Sequence, residues 1–361
     1  MTTAAATGAA MNAPPWHIRP YRPGDEKALV ALWTEAFGRP MTEEHWRWKA
    51  KGRPTPVENV GIAAAADDRP IFQFVGIPCP AVVLGTQRTV MVGADVVTAA
   101  QFRRRGVFTA TARHLFDSWR DAGVALIVGL ANDRWRSRAD VLGYERFFPL
   151  RWMIRPLRVE RVLARKAGLP ALARLRVLGR LWNVVWDRPV SAMPDVAIRP
   201  LASATPDLDR VWERGARHVQ TSLVRDRAWL AWRYCDFPNR AYRLTLAERA
   251  GSPAGYAVHR VVREGGTTFV QVAEVFAPGE RMVLRALVRD VVARAAAEGA
   301  DTVVTLAVPG SSVEREFRRA GFLFGRRGWP LEVIRLDPSI PRETLRDPSG
   351  WWLVGGDFDV V

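Results

Sequence analysis

Apolar and polar positions alternate in blocks along the chain, and one block is especially informative. Residues 90–98 form an apolar, β-branched run that predicts a strand ending at Thr98. An amphipathic pattern that begins near Val107 predicts a helix, and a short basic loop with a glycine at Gly106 lies between the two. First-turn amides of a helix lack intrahelical partners, and the helix dipole is positive there. The strand–loop–helix unit therefore predicts a binding site for phosphate.

The same order of predicted elements occurs twice. Three anchors recur in order at an offset of about 180 residues: the strand 17–20 at 197–200, the Trp/Pro segment 46–54 at 230–238, and the helix end 142–144 at 320–322. This agreement in order and spacing predicts a tandem duplication. Each unit is expected to be α/β, with a mixed, mostly antiparallel sheet flanked by helices.

With 361 residues, the chain is long enough for two domains with separate cores. The predicted boundaries are a disordered tail over 1–15, a first domain over 16–156, a basic helical linker over 157–195 and a second domain over 196–361. Apolar residues recur at helical spacing within the linker. They indicate either a helix that docks on the domains or, over residues 170–186, a basic amphipathic helix that contacts an anionic membrane.

The charge and cysteine content narrow the function classes. The formal net charge of +16 favours an anionic ligand or partner, although almost all basic residues are Arg, which can reflect genome composition. The two cysteines, Cys79 and Cys235, have no metal-binding or disulfide spacing, so we expect reduced thiols, no metal and a cytoplasmic location. No apolar run approaches the length of a membrane span.

The basic loop resembles the acetyl-CoA pyrophosphate loop of the GNAT N-acyltransferase superfamily. That signature is Gln or Arg, two residues, Gly, one residue, then Gly or Ala, and residues 103–108 follow it except that Phe108 replaces the small residue. Phe108 and the segment 95–98 match a branch of the family instead. The resemblance implies that acyl-CoA, most simply acetyl-CoA, is the co-substrate. The implied coenzyme-binding residues are Val96, Val97, Thr98, Arg103, Arg104, Arg105, Gly106, Val107, Phe108, Thr109 and Asn132.

Acyl transfer to an amine requires a base, because the ammonium must lose a proton before it attacks. Asp95 is the candidate, since it is a carboxylate within an apolar strand beside the expected thioester; its alternative role is a structural carboxylate. Many family members carry an acidic Tyr four residues before the glycine that ends the last helix. That position is Ala139 here, so Tyr144 is the substitute that we name as catalytic, with His114 as a second candidate.

The second unit has no comparable loop. Residues 277–281 place Pro278 and Glu280 where phosphate would have to bind, so we expect one coenzyme site per chain and a degenerate second unit. The leading hypothesis is an acyl-CoA-dependent N-acyltransferase that works by direct attack on a small-molecule or peptide amine. One alternative is a tRNA-dependent aminoacyl transferase. The retained pyrophosphate loop disfavours it, so nucleic acid is not the expected partner. The other alternative is a non-catalytic CoA sensor or scaffold. Trp48 and Trp232 indicate packing in preference to ligand stacking.

Overall fold

One sheet extends through both halves of the chain. The computed structural model describes residues 15–53, 55, 57–130, 135–186, 195–239 and 241–358. The predicted tail 1–15 therefore lies almost entirely outside the described residues. The strands are β1 (Trp16–Arg19), β2 (Val60–Ala65), β3 (Pro70–Val83), β4 (Thr86–Thr98), β5 (Val124–Leu130), β6 (Glu145–Pro156), β7 (Val196–Leu201), β8 (Ser222–Leu223), β9 (Tyr242–Arg249), β10 (Ser252–Glu264), β11 (Thr267–Phe276), β12 (Thr302–Ala307) and β13 (Leu323–Arg335).

Helices cover the faces of this sheet. They are α1 (Glu26–Phe37), α2 (Glu43–Lys51), α3 (Val107–Asp121), α4 (Arg136–Leu142), α5 (Val159–Ala167), α6 (Arg176–Trp186), α7 (Asp207–Ala216), α8 (Arg227–Leu230, continued by a π-helical turn Ala231–Cys235), α9 (Arg281–Ala297), α10 (Ser312–Arg319) and α11 (Arg342–Arg346). The apolar patterns correctly predicted the strand and the helix on either side of the basic loop. Helix α3 begins at Val107 and β4 ends at Thr98, as expected from the sequence.

The strand order is β1-β2-β3-β4-β5-β13-β6-β12-β11-β10-β9-β7, with β8 paired to β3. Among these strands, β4 pairs in parallel with β5 and β11 with β12, and the other pairings are antiparallel. The mixed, mostly antiparallel fold class is therefore confirmed. The expectation of a separate sheet in each half differs from the structure, because β13 of the second half lies between β5 and β6 of the first. The halves thus share their central strands.

The two tryptophans singled out in the sequence lie where the halves meet. Trp48 and Trp232 are each 8% exposed, and their rings stack with centroids 4.9 Å apart. Each indole N–H donates to the other residue's carbonyl oxygen, at 2.8 Å from Trp48 and 3.1 Å from Trp232. The packing role is confirmed, since both rings and both donors are engaged within the protein.

Two segments differ from their predicted form. Helix α6 packs against the protein through Trp182, Asn183 and Trp186. Its opposite side is exposed, and Val184 there is 76% exposed. The predicted docking therefore holds for one side of α6 only. The apolar run that opens the C-terminal segment 351–358 fits a terminal strand. The segment instead forms isolated bridges and a short 3-10 turn at Gly355–Asp357.

Candidate functional site

A cleft opens between β4 and β5 in the first half. The parallel ladder between these strands ends at Val92 and Val128, whereas β4 continues to Thr98 and β5 to Leu130. Val97 and Thr98 pair with β3 on their other side. The last residues of β4 therefore present one backbone edge to the cleft, and an extended ligand can add to that edge by strand-like hydrogen bonds.

A β-bulge shapes the cleft side of β4. The register against β3 shifts between Gln73 and Val75, and Asp95, on the bulged strand, has a positive φ of 49°. The Asp95 carboxylate is buried, lies 3.0 Å from the Lys49 ammonium and accepts a 2.9 Å hydrogen bond from the Trp33 indole. These partners stabilise the ionised carboxylate in place and support the structural role of Asp95.

The basic loop lies at the open end of the cleft. After a 3-10 turn at Ala100–Phe102 come three exposed arginines, Arg103, Arg104 and Arg105, and then Gly106 at φ 77°. Helix α3 begins immediately afterwards and has no side-chain N-cap. Arg103 donates to the Thr98 carbonyl oxygen at 3.2 Å, which ties the loop to the end of β4. The uncapped amides and the three guanidinium groups beside them form a site suited to a pyrophosphate.

Two glycines form the floor of the cleft at the point where the strands separate. An ideal Cβ on Gly129 would lie 4.0 Å from the carbonyl oxygen of Gly93 across the gap. On Gly93 the same atom would lie 3.5 Å from the Tyr144 hydroxyl oxygen. The bare backbone on both strands allows a ligand to approach closely, with the Tyr144 hydroxyl beside it.

Aromatic side chains line the floor on the α3/α4 side of the sheet. Trp135 meets the rings of Tyr144, Phe108 and Phe74 edge to face, with centroids 5.5, 5.9 and 6.4 Å apart. Phe108, the residue that departs from the loop signature, is therefore part of this cluster. Burial raises the pKa of Tyr144 well above its ordinary value, with the nearby Glu332 carboxylate as a smaller cause. The Tyr144 hydroxyl consequently keeps its proton at neutral pH.

Glu332, which belongs to the second half, is a further residue of this site and is not among those predicted from the sequence. It lies on β13 opposite Gly129 of β5 and is 1% exposed. Arg146 of β6 contacts its Oε1 at 3.3 Å, yet burial raises the pKa of the Glu332 carboxyl above its usual value. A carboxylate within the apolar segment 331–336 was the available signal, but no sequence pattern indicated that β13 would pair with β5.

The remaining predicted residues fall in several places. Val96, Val97 and Thr98 lie along the cleft end of β4, and Val107, Phe108 and Thr109 form the first turn of α3. Asn132 lies outside the described residues. His114 is exposed on α3, about two turns beyond the helix start, whereas Ala139 is 1% exposed within the core.

The second half has a corresponding cleft between β11 and β12, where the parallel ladder ends at Gln271 and Val304. The C-terminal segment lies in it: Val354 bridges to Ala307, and the turn that follows contacts both strands. An ideal Cβ on Gly356 would lie 3.0 Å from the carbonyl oxygen of Ala273 and would overlap the Tyr234 hydroxyl. The chain itself therefore fills the space that remains open in the first half.

A buried ionic network holds this segment. Arg225 is 0% exposed and lies 2.7 Å from both Glu274 of β11 and Asp357 of the C-terminal segment. Tyr234 and Tyr256 donate to the two oxygens of Glu274 at 2.6 and 2.5 Å. At the start of α9, Glu280 pairs with Arg249 at 2.7 Å, so a carboxylate stands where the first half has arginines.

A known protein family matches the part of the chain that contains most of the first cleft. Residues 17–147, about a third of the chain, match the family model described as an acetyltransferase (GNAT) domain. This part of the chain is therefore similar to a GNAT acetyltransferase domain. No curated protein matches the chain at a significant level.

Solved structures match across both halves. A GCN5-related N-acetyltransferase from Anabaena variabilis aligns over 89% of this chain and 73% of its own, at 11% identity and a TM-score of 0.64. A GCN5-related N-acetyltransferase from Kribbella flavida aligns over 89% and 71%, at 17% identity and a TM-score of 0.59. The N-myristoyltransferase of Saccharomyces cerevisiae, solved with bound myristoyl-CoA, aligns over 94% and 90%, at 10% identity and a TM-score of 0.60. At these identities the likeness establishes a shared fold.

Proposed function

We propose that this protein is an acyl-CoA-dependent N-acyltransferase with one working site, the β4/β5 cleft of the first half. The observation that carries the proposal is that the open edge of β4, the basic loop and the start of α3 follow one another without a break. The free edge of β4 ends at Thr98, and Arg103 ties it to a loop that leads directly into the uncapped start of α3. The GNAT domain match over residues 17–147 supports the same assignment.

The coenzyme would lie along this path. Its pantetheine arm would pair with the backbone of residues 96–98, and its pyrophosphate would meet the first-turn amides of α3 with Arg103, Arg104 and Arg105 around it. The thioester would then rest near the two-glycine floor. Acetyl-CoA is the simplest donor, since no large open cavity is needed to hold its acyl group.

The reaction would be direct attack of an amine on the thioester carbonyl. A carbon–nitrogen bond forms, the carbon–sulfur bond breaks, and the departing thiolate takes a proton from the Tyr144 hydroxyl beside Gly93. The Tyr144 phenolate then recovers a proton from the new amide nitrogen. Asp95 is held by Lys49 and Trp33, which favours its structural role over proton removal. A non-catalytic CoA sensor is the second candidate, because Ala139 stands where many family members place their acid.

We also propose that the chain binds one coenzyme molecule, since its C-terminal segment fills the second cleft.

Duplication of a single ancestral unit would account for the matching strand order on the two sides of β13 and β6 and for the reciprocal Trp48–Trp232 hydrogen bonds.

The test combines calorimetry and turnover. Titration with acetyl-CoA should give one site per chain, and a panel of polyamines, amino sugars and peptides with free α-amines should release CoA thiol in at least one case. Absence of acetyl-CoA binding would refute the assignment. Binding without release of thiol for any amine in the panel would favour the sensor.

We further propose that α6 contacts an anionic membrane surface. Its side away from the protein exposes Leu181 at 62%, Val184 at 76% and Val185 at 64%, and the exposed Arg174 and Arg180 lie on the same segment. Apolar side chains flanked by arginines match the interface of a bilayer with anionic lipid. No helix among the described residues is long and apolar enough to span a membrane.

Vesicle sedimentation tests this surface. The full chain should bind vesicles of phosphatidylcholine with phosphatidylglycerol and bind vesicles of phosphatidylcholine alone weakly. The double variant Leu181→Glu/Val184→Glu should lose roughly 10-fold or more of that binding, because two exposed apolar side chains that would enter the bilayer interface become charged. Equal binding by the variant, or concentration-dependent dimerisation that the variant abolishes without any vesicle binding, would overturn the membrane assignment.

A further inference from the structure

We propose that Glu332, which the second half contributes, is the proton acceptor for the attacking amine in the cleft of the first half. This inference rests on the proposed function and adds a residue to its site. It makes the second half a direct part of the reaction centre, instead of a degenerate copy beside it.

The strand pairing places Glu332 at the cleft floor. In the antiparallel ladder of β13 with β5, Glu332 is the direct partner of Gly129. Directly paired residues of an antiparallel ladder project to the same face, at about 5 Å from each other. Because Gly129 has no side chain, the space over its backbone lies open beside the Glu332 carboxylate, one strand away from Gly93 and the Tyr144 hydroxyl.

One oxygen of the carboxylate is free to accept a proton. Oε1 pairs with Arg146, and the side chain of Trp135, the residue just before α4, interacts with the carboxylate and helps to stabilise its charge. Oε2 is buried and makes no hydrogen bond of normal geometry with any residue that the structure describes. A buried acceptor without a partner is costly, which is expected where a ligand supplies the missing donor.

The surroundings of Glu332 make its carboxylate a stronger base, because together they raise its pKa. Burial raises its pKa and the Asp140 charge adds to that effect, whereas Arg146 and Trp135 lower it, with a net increase. The Tyr144 hydroxyl faces the same floor, and its pKa is raised by burial and by Glu332 itself. Two neighbouring groups thus divide the proton work: Glu332 accepts and Tyr144 donates.

The proton balance is complete with these two groups. The ammonium of the acceptor gives one proton to Glu332 Oε2, and the neutral amine attacks the thioester carbonyl. The carbon–sulfur bond breaks, and the thiolate takes the Tyr144 proton. The phenolate then recovers a proton from the new amide nitrogen, and Glu332 releases its proton to solvent. The products are amide, CoA thiol and one proton, with no further co-reactant.

The decisive variant is Glu332→Gln, which keeps the size of the side chain and removes proton acceptance. With acetyl-CoA and the fastest amine of the panel above, kcat should fall by about 100-fold or more. The dissociation constant for acetyl-CoA should stay within about twofold. In the native protein, kcat/KM should rise with pH through the pKa of Glu332, because the ionised form is active, and this acidic limb should vanish in the variant.

Glu314→Gln is the matched control. Glu314 is also a buried glutamate paired with an exposed arginine of β6, since Arg151 contacts it at 3.0 Å, but it belongs to α10 and lies away from the cleft. It should keep the native rate and pH profile. A merely structural Glu332 would give a lower melting temperature with an unchanged acidic limb, and that result would overturn the proposal.

The outcomes separate this proposal from the one on which it rests. If the native protein binds acetyl-CoA and acetylates an amine while Glu332→Gln matches its rate and pH profile, Glu332 is not the base and the acyltransferase assignment stands. If the native protein binds no acetyl-CoA, or binds it and acetylates nothing, the proposed function fails and the role of Glu332 fails with it.

Discussion

The clefts of the two halves open in the same way and differ in what occupies them. In each, a parallel ladder stops and a carboxylate follows three positions later: Asp95 after Val92 in the first, Glu274 after Gln271 in the second. The first cleft leads to an arginine loop, whereas the second holds the turn that contains Asp357. The same arrangement of two separating parallel strands can therefore hold either a ligand site or a packed interior.

The partners of the two carboxylates explain this difference. Asp95 pairs with Lys49 of α2, which leaves the end of β4 uncovered on the side of β5. Glu274 pairs with Arg225, whose guanidinium also reaches Asp357 and so holds the C-terminal segment in place. The bidentate geometry of Arg lets one side chain bridge two carboxylates, which a lysine does less well.

The largest effect is expected for Arg225→Ala. The change leaves Glu274 and Asp357 buried without their cation, and breaking such a network costs about 3–5 kcal/mol. Chemical denaturation should show this loss of unfolding free energy. Arg210→Ala, which breaks an exposed pair with Asp207, is the control and should leave the unfolding midpoint nearly unchanged. A similar small effect at Arg225 would mean that the C-terminal segment is not held by this network.

A somewhat smaller effect is expected for Asp95→Asn. The substitution leaves the buried Lys49 without its carboxylate, and we expect a loss of roughly 3 kcal/mol in unfolding free energy. With a structural Asp95, the acidic limb of the pH–rate profile should persist in the folded variant. A rate that falls by about 100-fold at unchanged stability would instead restore Asp95 as the base.

The sequence predicted most elements because their signals are local. The apolar run 90–98, the loop glycine at 106 and the amphipathic start of α3 each depend on neighbouring residues, and the structure matches them within one or two positions. The shared sheet was missed because the pairing of β13 with β5 is set by contacts about 200 residues apart, for which the pattern in 323–335 carries no signal. Glu332 was missed for the same reason.

The C-terminal segment shows a further limit of local patterns. The apolar residues of 351–354 fit a strand as well as a packed irregular segment. The deciding interaction is the ion pair between Asp357 and Arg225, which are 132 residues apart. Neither residue forms a motif with its sequence neighbours. The sequence therefore predicted only that the second half lacks a phosphate loop, and it did not predict that the C-terminal segment fills the second cleft.

A third prediction concerns the open cleft. Gly106→Glu puts a carboxylate where the coenzyme phosphates would meet the start of α3, and acetyl-CoA affinity should fall by about 2 kcal/mol, roughly 30-fold. Gly106 has φ 77°, so part of any effect is backbone strain. Gly123→Glu is the matched control, because Gly123 has φ 78°, has equally open surroundings and lies just beyond the other end of α3. Calorimetry that shows equal losses for the two variants would argue against the phosphate site.

The smallest effect is expected where the second half lacks a phosphate loop. Glu280 pairs with Arg249, and Arg281 pairs with Glu316, so the start of α9 is occupied by internal ion pairs. Replacing both Glu280 and Arg281 with Ala removes the wrong-signed charge, yet the C-terminal segment still fills the cleft beyond it. Calorimetric stoichiometry should therefore remain one acetyl-CoA per chain, in the variant as in the native protein. A value of two in the native protein would show that the second cleft binds coenzyme despite the segment that fills it. A value of two in the variant alone would show that Glu280, and not the segment, excludes it.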